Sequence, residues 1–337
     1  MCMRFRYSFL SVLAIVTFVA AEGDMRAQER SVSLSASDSF LIETRVPRLA
    51  LVVGVENYEN LDHVTNALND AKELSSVLTS IGFSFVRYLP DPKRDDIYDY
   101  VGELAKRGGD TRQPAILVFF FAGHGFQNGE RFNYIVPVGA RKDHMLDDSI
   151  PVETILHSLA THRAGLAIAF FDSCRTGLSG QVGNINQVGF AELGSPAGAI
   201  VGLAAEFGSQ ALSAAHDGDA DSPYTTALLR HLPRQSLSLD AALDKVQEDV
   251  KLATNRTQIS FEVKGANGTG FYFVPGRSEQ ETEREKWESV IATGSLECAQ
   301  RYVDAHPGSL FLQAALNWMT TEPHNQLARG DNSCPDD

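Results

Sequence analysis

The stretch AILVFFFAG, residues 115–123, is apolar nearly from end to end, with no polar alternation. A strand with one wet face alternates, whereas a continuous run is read as a strand covered on both faces, as in parallel sheets crossed by helices. The pattern returns in GLAIAFFDS, residues 165–173, and in shorter runs: LALVVGV around 50–55, FSFVRYL at 83–89 and GAIVGLAAE at 198–206. Between them lie segments of helical period. NALNDAKELSSVLTSIG puts Ala67, Leu68, Ala71, Leu74, Val77, Leu78 and Ile81 on one face, and helices are predicted near 95–106 and 151–162. Strands alternating with helices predict an α/β sandwich.

Further along, SPYTTALLRHL and SLDAALDKVQEDVKLA read as helices, the first capped by Ser222 with Pro223 in its first turn, and GTGFYFV near 269–274 reads as a late strand. After Pro275 the composition changes to the charged run EQETEREKWESV. Trp287, Val290, Leu296, Tyr302, Val303, Phe311, Leu312 and Trp318 follow, predicting an appended helical hairpin. The predicted organisation is a signal peptide at 1–21, a polar linker at 22–47, a main domain at 48–275 and a helical extension at 276–337.

At 337 residues and 43% hydrophobic content the chain can bury an ordinary core. A formal net charge of −14 argues against a nucleic-acid or anionic-membrane surface and suits clefts that attract cations. Arg4 and Arg6 precede the apolar run Phe9 to Ala20, and charge returns at Glu22, so the N-terminus reads as a cleaved export signal leaving no stable membrane span. The expected location is secreted or periplasmic. Removal of the signal takes Cys2 with it and leaves Cys174, Cys298 and Cys334 in a compartment where disulfides persist. Cys298 and Cys334 lie near each other in sequence, and their pairing leaves Cys174 as the odd thiol.

That thiol is well placed for chemistry. Reactive groups of open parallel sheets collect beyond the carboxyl ends of the strands. FFFAGHG puts His124 just past one predicted strand, and FFDSCRTG puts Cys174 just past another. Strand period two places Asp172 and Cys174 on one side and Ser173 on the other. A thiol becomes an effective nucleophile when an imidazole takes its proton, and the same imidazole can later protonate a leaving amine. Cys174 is the expected nucleophile and His124 the general acid/base. The amides of Gly125 and Cys174 are the expected oxyanion hole.

In these residues the chain resembles the caspase-like clan of cysteine peptidases (peptidase family C14), most of all its metacaspase and bacterial caspase-like branch. The resemblance spans roughly 48–275. It rests on FFFAGHG and FFDSCRTG, 50 residues apart, together with ALVVGVENYENL…NALNDA, YIVPVGA, SPYTTALLRHL and GTGFYF. It implies a three-layer αβα sandwich around a mostly parallel six-stranded sheet, and peptide-bond hydrolysis by the dyad without a required cofactor. It also implies that Asp70 and Asp172 line the pocket for the residue before the scissile bond. Two carboxylates in a concave pocket attract guanidinium, so Arg is the expected preference and Lys the second.

Asp147 and Asp148 match paired acids that some metacaspases use to bind an activating Ca²⁺, although Gly139 stands in YIVPVGA where that family often carries an acid. From Thr176 to Thr226 there is no Lys or Arg, so an enzyme of this specificity cannot cut itself there and a single-chain active form is expected. Two alternatives stay open: a catalytically silent scaffold, and a peptidase of other specificity or a transpeptidase using the same dyad. The oligomeric state is not readable from the sequence.

Overall fold

The computed structural model describes residues 46–110, 115–160, 165–174, 190–194, 199–264, 271–321 and 334; of Cys174 it describes the backbone. The signal and linker readings fall outside the described residues, apart from Val46 and Pro47.

The central sheet is built from the runs that the sequence marks as doubly covered. Strands β1 (Arg48–Gly54), β2 (Phe85–Pro90), β3 (Ile116–Gln127), β6 (Leu166–Cys174), β7 (Ala199–Leu203) and β8 (Phe261–Lys264) lie in the order β2-β1-β3-β6-β7-β8. Neighbours from β2 to β7 are parallel, and β8 closes the edge antiparallel to β7. This is the mostly parallel six-stranded sheet expected. A small antiparallel offshoot leaves the end of β3 through β4 (Asn133–Ile135) and β5 (Ile150–Pro151).

Helices cover both faces. Helix α1 (Ala67–Ser80) packs on β1 and β2 beside α5 (Pro223–His231), which in turn packs on α6 (Leu239–Ala253). On the other face lie α2 (Arg94–Asp110) and α4 (Val152–Ala160), with the single turn α3 (Met145–Asp148) before β5. Between the layers Phe119, Phe120, Phe121, Phe170 and Phe171 are completely enclosed. Each such side chain contributes about 1.5–3 kcal/mol of transfer free energy. This apolar block fixes where β3 and β6 end, and so where His124 and Cys174 stand.

Three expectations change. Strand β3 runs through His124 to Gln127 instead of stopping at Gly123, because β4 pairs with Gly125–Gln127 and prolongs it. Among the described residues the late aromatic segment makes isolated bridges, Ser238 with Tyr272 and Gln235 with Val274. The edge strand is β8 instead, whose FEVK carries too little apolar run to announce itself. Among the described residues the C-terminal region holds three helices where a hairpin was expected: α7 (Arg277–Ala292), α8 (Leu296–Ala305) and α9 (Leu312–Thr321). They share a core of Trp287, Val290, Tyr302, Phe311 and Ala315, closed by a Cys298–Cys334 disulfide with Cα atoms 5.4 Å apart. Leu312 joins the main core, and the turn at Gly308 rests on Phe271, so the helices pack against the sheet domain.

Candidate active site

The parallel pairing of β3 with β6 sets His124 directly opposite Cys174. Both residues therefore sit at the carboxyl end of the sheet on adjacent strands, where two parallel chains lie about 4.8 Å apart. The Cys174 side chain and the turn RTG that follows lie outside the described residues.

His124 is buried, at 3% exposure, and held by the loop that follows β1. The Tyr58 hydroxyl accepts the His124 backbone N–H at 2.8 Å and donates to the Val136 carbonyl at 3.0 Å. Val136 returns a backbone N–H to the His124 carbonyl at 3.0 Å. The Tyr58 ring lies 4.6 Å from the imidazole, centroid to centroid. At the far side of the ring Nε2 meets the Asp62 carbonyl at 2.8 Å. A carbonyl only accepts, so Nε2 carries a proton and Nδ1 is the basic nitrogen of the neutral imidazole.

The glycines on either side are required by space. Gly123 has φ +150°, and a Cβ there would stand 2.7 Å from the Tyr58 hydroxyl and 3.1 Å from the Val55 carbonyl. A Cβ on Gly125 would meet Ser173 Oγ at 3.0 Å and the Phe190 ring at 3.1 Å. The loop carrying Tyr58 and Asp62 is itself anchored by Asp91, at φ +45°. Its carboxylate accepts the backbone N–H groups of Glu56 (2.7 Å) and Asn57 (3.0 Å) and the Asn57 side chain (2.8 Å).

Asp172 and Asp70 are each 2% exposed, and one residue links them. Ser222 donates its backbone N–H to Asp70 Oδ1 at 2.9 Å and its hydroxyl to Asp172 Oδ2. The same Ser222 oxygen accepts the Thr225 N–H at 2.9 Å, capping α5, while the Thr225 hydroxyl donates to Asp172 Oδ2 at 2.9 Å. Burial first, and then the charge of Asp172, pushes the Asp70 carboxyl well above the usual carboxylate range; Asp221 acts in the same direction. Asp70 lies on the buried face of α1 among Ala67, Ala71, Leu74 and Leu78.

Asp147 and Asp148 both lie on the single turn α3. Arg141 occupies Asp148 through its side chain, at 2.8 and 3.0 Å, and through its backbone N–H at 3.0 Å, holding the carboxyl below its ordinary range. The side chain of Asp147 is 85% exposed, and among the described residues no group of three or more His, Cys, Asp or Glu is placed to hold a metal ion.

Sequence reasoning marks Ser222 only as a helix cap and passes over Thr225, Tyr58, Asp62, Asp91 and Asp221. The Ser-Pro start of α5 is a local signal, but its hydroxyl reaching Asp172, 50 positions away, depends on the crossover of the chain.

An αβα sandwich with a histidine and a cysteine on neighbouring strand ends, beside a buried pair of acids, defines the class of caspase-type folds. The caspase-domain family profile matches residues 47–269, well over half of the chain, and the chain belongs to that family of cysteine peptidases. The crystal structure of caspase-1 from Spodoptera frugiperda superposes with a TM-score of 0.51, covering 69% of this chain and 92% of that one at 15% identity, and shows the shared fold. Human mucosa-associated lymphoid tissue lymphoma translocation protein 1 is 27% identical over 131 residues, which is 38% of this chain and 15% of that protein.

Proposed function

We propose that the protein is an exported endopeptidase that cuts after Arg, and secondarily Lys, as a single chain of metacaspase type. The observation that carries this reading is the register that faces His124 with Cys174, with the Asp70–Asp172 pair two residues away along β6. Nδ1 of His124 takes the Cys174 proton, and the thiolate attacks the carbonyl carbon before the scissile bond. The resulting oxyanion is met by the N–H groups of Gly125 and Cys174. Collapse breaks the C–N bond, His124 returns the proton to the leaving amine, and water then hydrolyses the thioester. Asp62 and Tyr58 keep the ring oriented throughout.

The acid pair supports a cationic side chain before the scissile bond, since an acidic one meets like charge. The Cys298–Cys334 bond supports an oxidising compartment. The test is hydrolysis of matched fluorogenic peptides ending in Arg, Lys or Asp by the mature protein, with and without Ca²⁺. Arg and Lys cleavage, reduced by orders of magnitude in Cys174→Ala and His124→Ala, is expected. No cleavage of any peptide by folded, reduced protein would move the reading to an interaction scaffold.

A further inference from the structure

Asn133, on β4, is fully buried, and its side-chain amide does the work of a neighbouring strand. Oδ1 accepts the Ala191 backbone N–H at 2.6 Å, and Nδ2 donates to the Ala191 carbonyl at 3.1 Å. One side chain thus serves both polar groups of a buried backbone position 58 residues away. The residue before this clamp is Phe190, whose ring is 1% exposed and stands edge-on to Phe171 with centroids 5.9 Å apart. The Phe190 carbonyl accepts the Gly208 N–H at 3.1 Å. The other side of the ring lies against Gly125, where a Cβ would stand 3.1 Å from it and 3.0 Å from Ser173 Oγ.

We propose that Asn133 is a positioning residue for the oxyanion hole: by clamping Ala191 it seats Phe190 behind Gly125 and so aims the Gly125 N–H; this rests on the peptidase reading above. The register pairs Gly125 with Ile135 and Gln127 with Asn133, so Gly125 and Asn133 share one face of the β3–β4 pair and His124 takes the other. The clamp therefore acts from behind the dyad. A glycine has no side chain to fix its peptide plane, and contacts on its Cα decide where its N–H points. Without the Asn133 amide both polar groups of Ala191 are buried and unserved, and the segment shifts to find partners. Phe190 then leaves Gly125, and the donor that meets the developing charge on the substrate oxygen is misplaced. Reactions of Cys174 that put no charge on an oxygen do not feel the change.

The test uses that difference on the full-length mature protein. Hydrolysis of the Arg fluorogenic peptide, and inhibition by a peptide aldehyde ending in Arg, both create a tetrahedral carbon whose oxygen takes the charge. Alkylation by iodoacetamide does not: the thiolate forms an S–C bond, the C–I bond breaks and iodide leaves. In Asn133→Ala kcat should fall about 10- to 100-fold with KM within about twofold, and aldehyde inhibition should weaken by a similar factor. The rate of Cys174 alkylation and its pH profile should stay within about twofold of the parent. Phe190→Leu leaves the clamp in place and should give the same pattern, which keeps the comparison if Asn133→Ala does not fold. The double variant should lose about as much as the worse single one, since both act through one contact. Val250→Ala, a core truncation on α6, should lower stability and keep the parent's kcat. An unchanged kcat in folded variants, or equal losses of hydrolysis and alkylation, overturns this proposal alone. If the parent cleaves no peptide while Cys174 is alkylated normally, the peptidase reading fails and the role of Asn133 with it.

Discussion

Tyr58 grips His124 at two points, accepting its backbone N–H at 2.8 Å while its ring lies 4.6 Å from the imidazole. The hydroxyl also fills the space that any side chain on Gly123 would need. Tyr58→Phe keeps the ring and removes the hydrogen bonds. Misplacement of a reacting group by about 1 Å can cost on the order of 100-fold in rate, so kcat should fall about 10- to 100-fold with KM nearly constant. Steady-state kinetics on the Arg peptide check this split; a change confined to KM would contradict the positioning role.

Gly123→Ala should be worse than Tyr58→Phe. The new Cβ collides with the Tyr58 hydroxyl and the Val55 carbonyl, in a backbone conformation that L residues rarely adopt. Both stability and activity should drop, on the order of 1–3 kcal/mol for the former. Thermal unfolding and turnover measured on one preparation would show the two losses together.

Ser222 joins three structures at once: the cap of α5, Asp70 and Asp172. Ser222→Ala removes the cap, worth about 1 kcal/mol, and a hydroxyl donor to Asp172. A lower melting temperature and a raised KM for Arg peptides should result, with kcat little altered. Ser222→Thr retains the hydroxyl and should restore both. Failure of threonine to rescue KM would separate the cap from the pocket.

Asp70 gives a pH signature. Burial first, and then the charge of Asp172, holds its carboxyl well above the usual carboxylate range; Asp221 adds to this, the Ser222 N–H opposes it, and Tyr224 lies beyond Asp172. A carboxyl with a raised folded value binds more protons when folded. Its stabilisation is complete below about pH 3.8 and is lost as pH rises through the elevated value. Asp70→Asn abolishes this loss, so its melting temperature should exceed the parent's at pH 8, by a few degrees if the effect is about 1–2 kcal/mol, and converge with it at low pH. Cation binding to the same site should weaken in the variant. A uniform offset at every pH would show that Asp70 does not titrate in this range.

How much of this was legible in sequence follows from the range of each signal. The doubly covered strands announce themselves because burial on both faces leaves no polar position to interrupt AILVFFFAG or GLAIAFFDS. His124 and Cys174 were legible because each follows such a run. Asp70 interrupts the buried face of α1, an oddity visible once the apolar positions are drawn on a helix. Tyr58, Asp91, Ser222 and Asp221 were not, since each acts on a residue at least 34 positions away and only the crossovers bring them together. The edge strand β8 was missed for a similar reason. Its FEVK is stabilised by pairing with β7 and not by its own pattern.

The C-terminal helices should respond to reduction separately from the dyad. Cys298 and Cys334 close a loop of 36 residues around the cluster of Trp287, Tyr302 and Phe311. A bond of this kind contributes about 2–4 kcal/mol, chiefly by restricting the unfolded chain. Both tryptophans of the protein, Trp287 and Trp318, lie in this cluster with ring centroids 6.0 Å apart, so intrinsic tryptophan fluorescence reports on it selectively. In a Cys298→Ser/Cys334→Ser protein the fluorescence transition should move to lower denaturant, while Arg-peptide hydrolysis in buffer keeps the parent's kcat, because neither cysteine touches β3 or β6. Coincident loss of fluorescence and activity would show instead that the three helices and the sheet domain unfold as one cooperative unit, through Leu312 and Phe271.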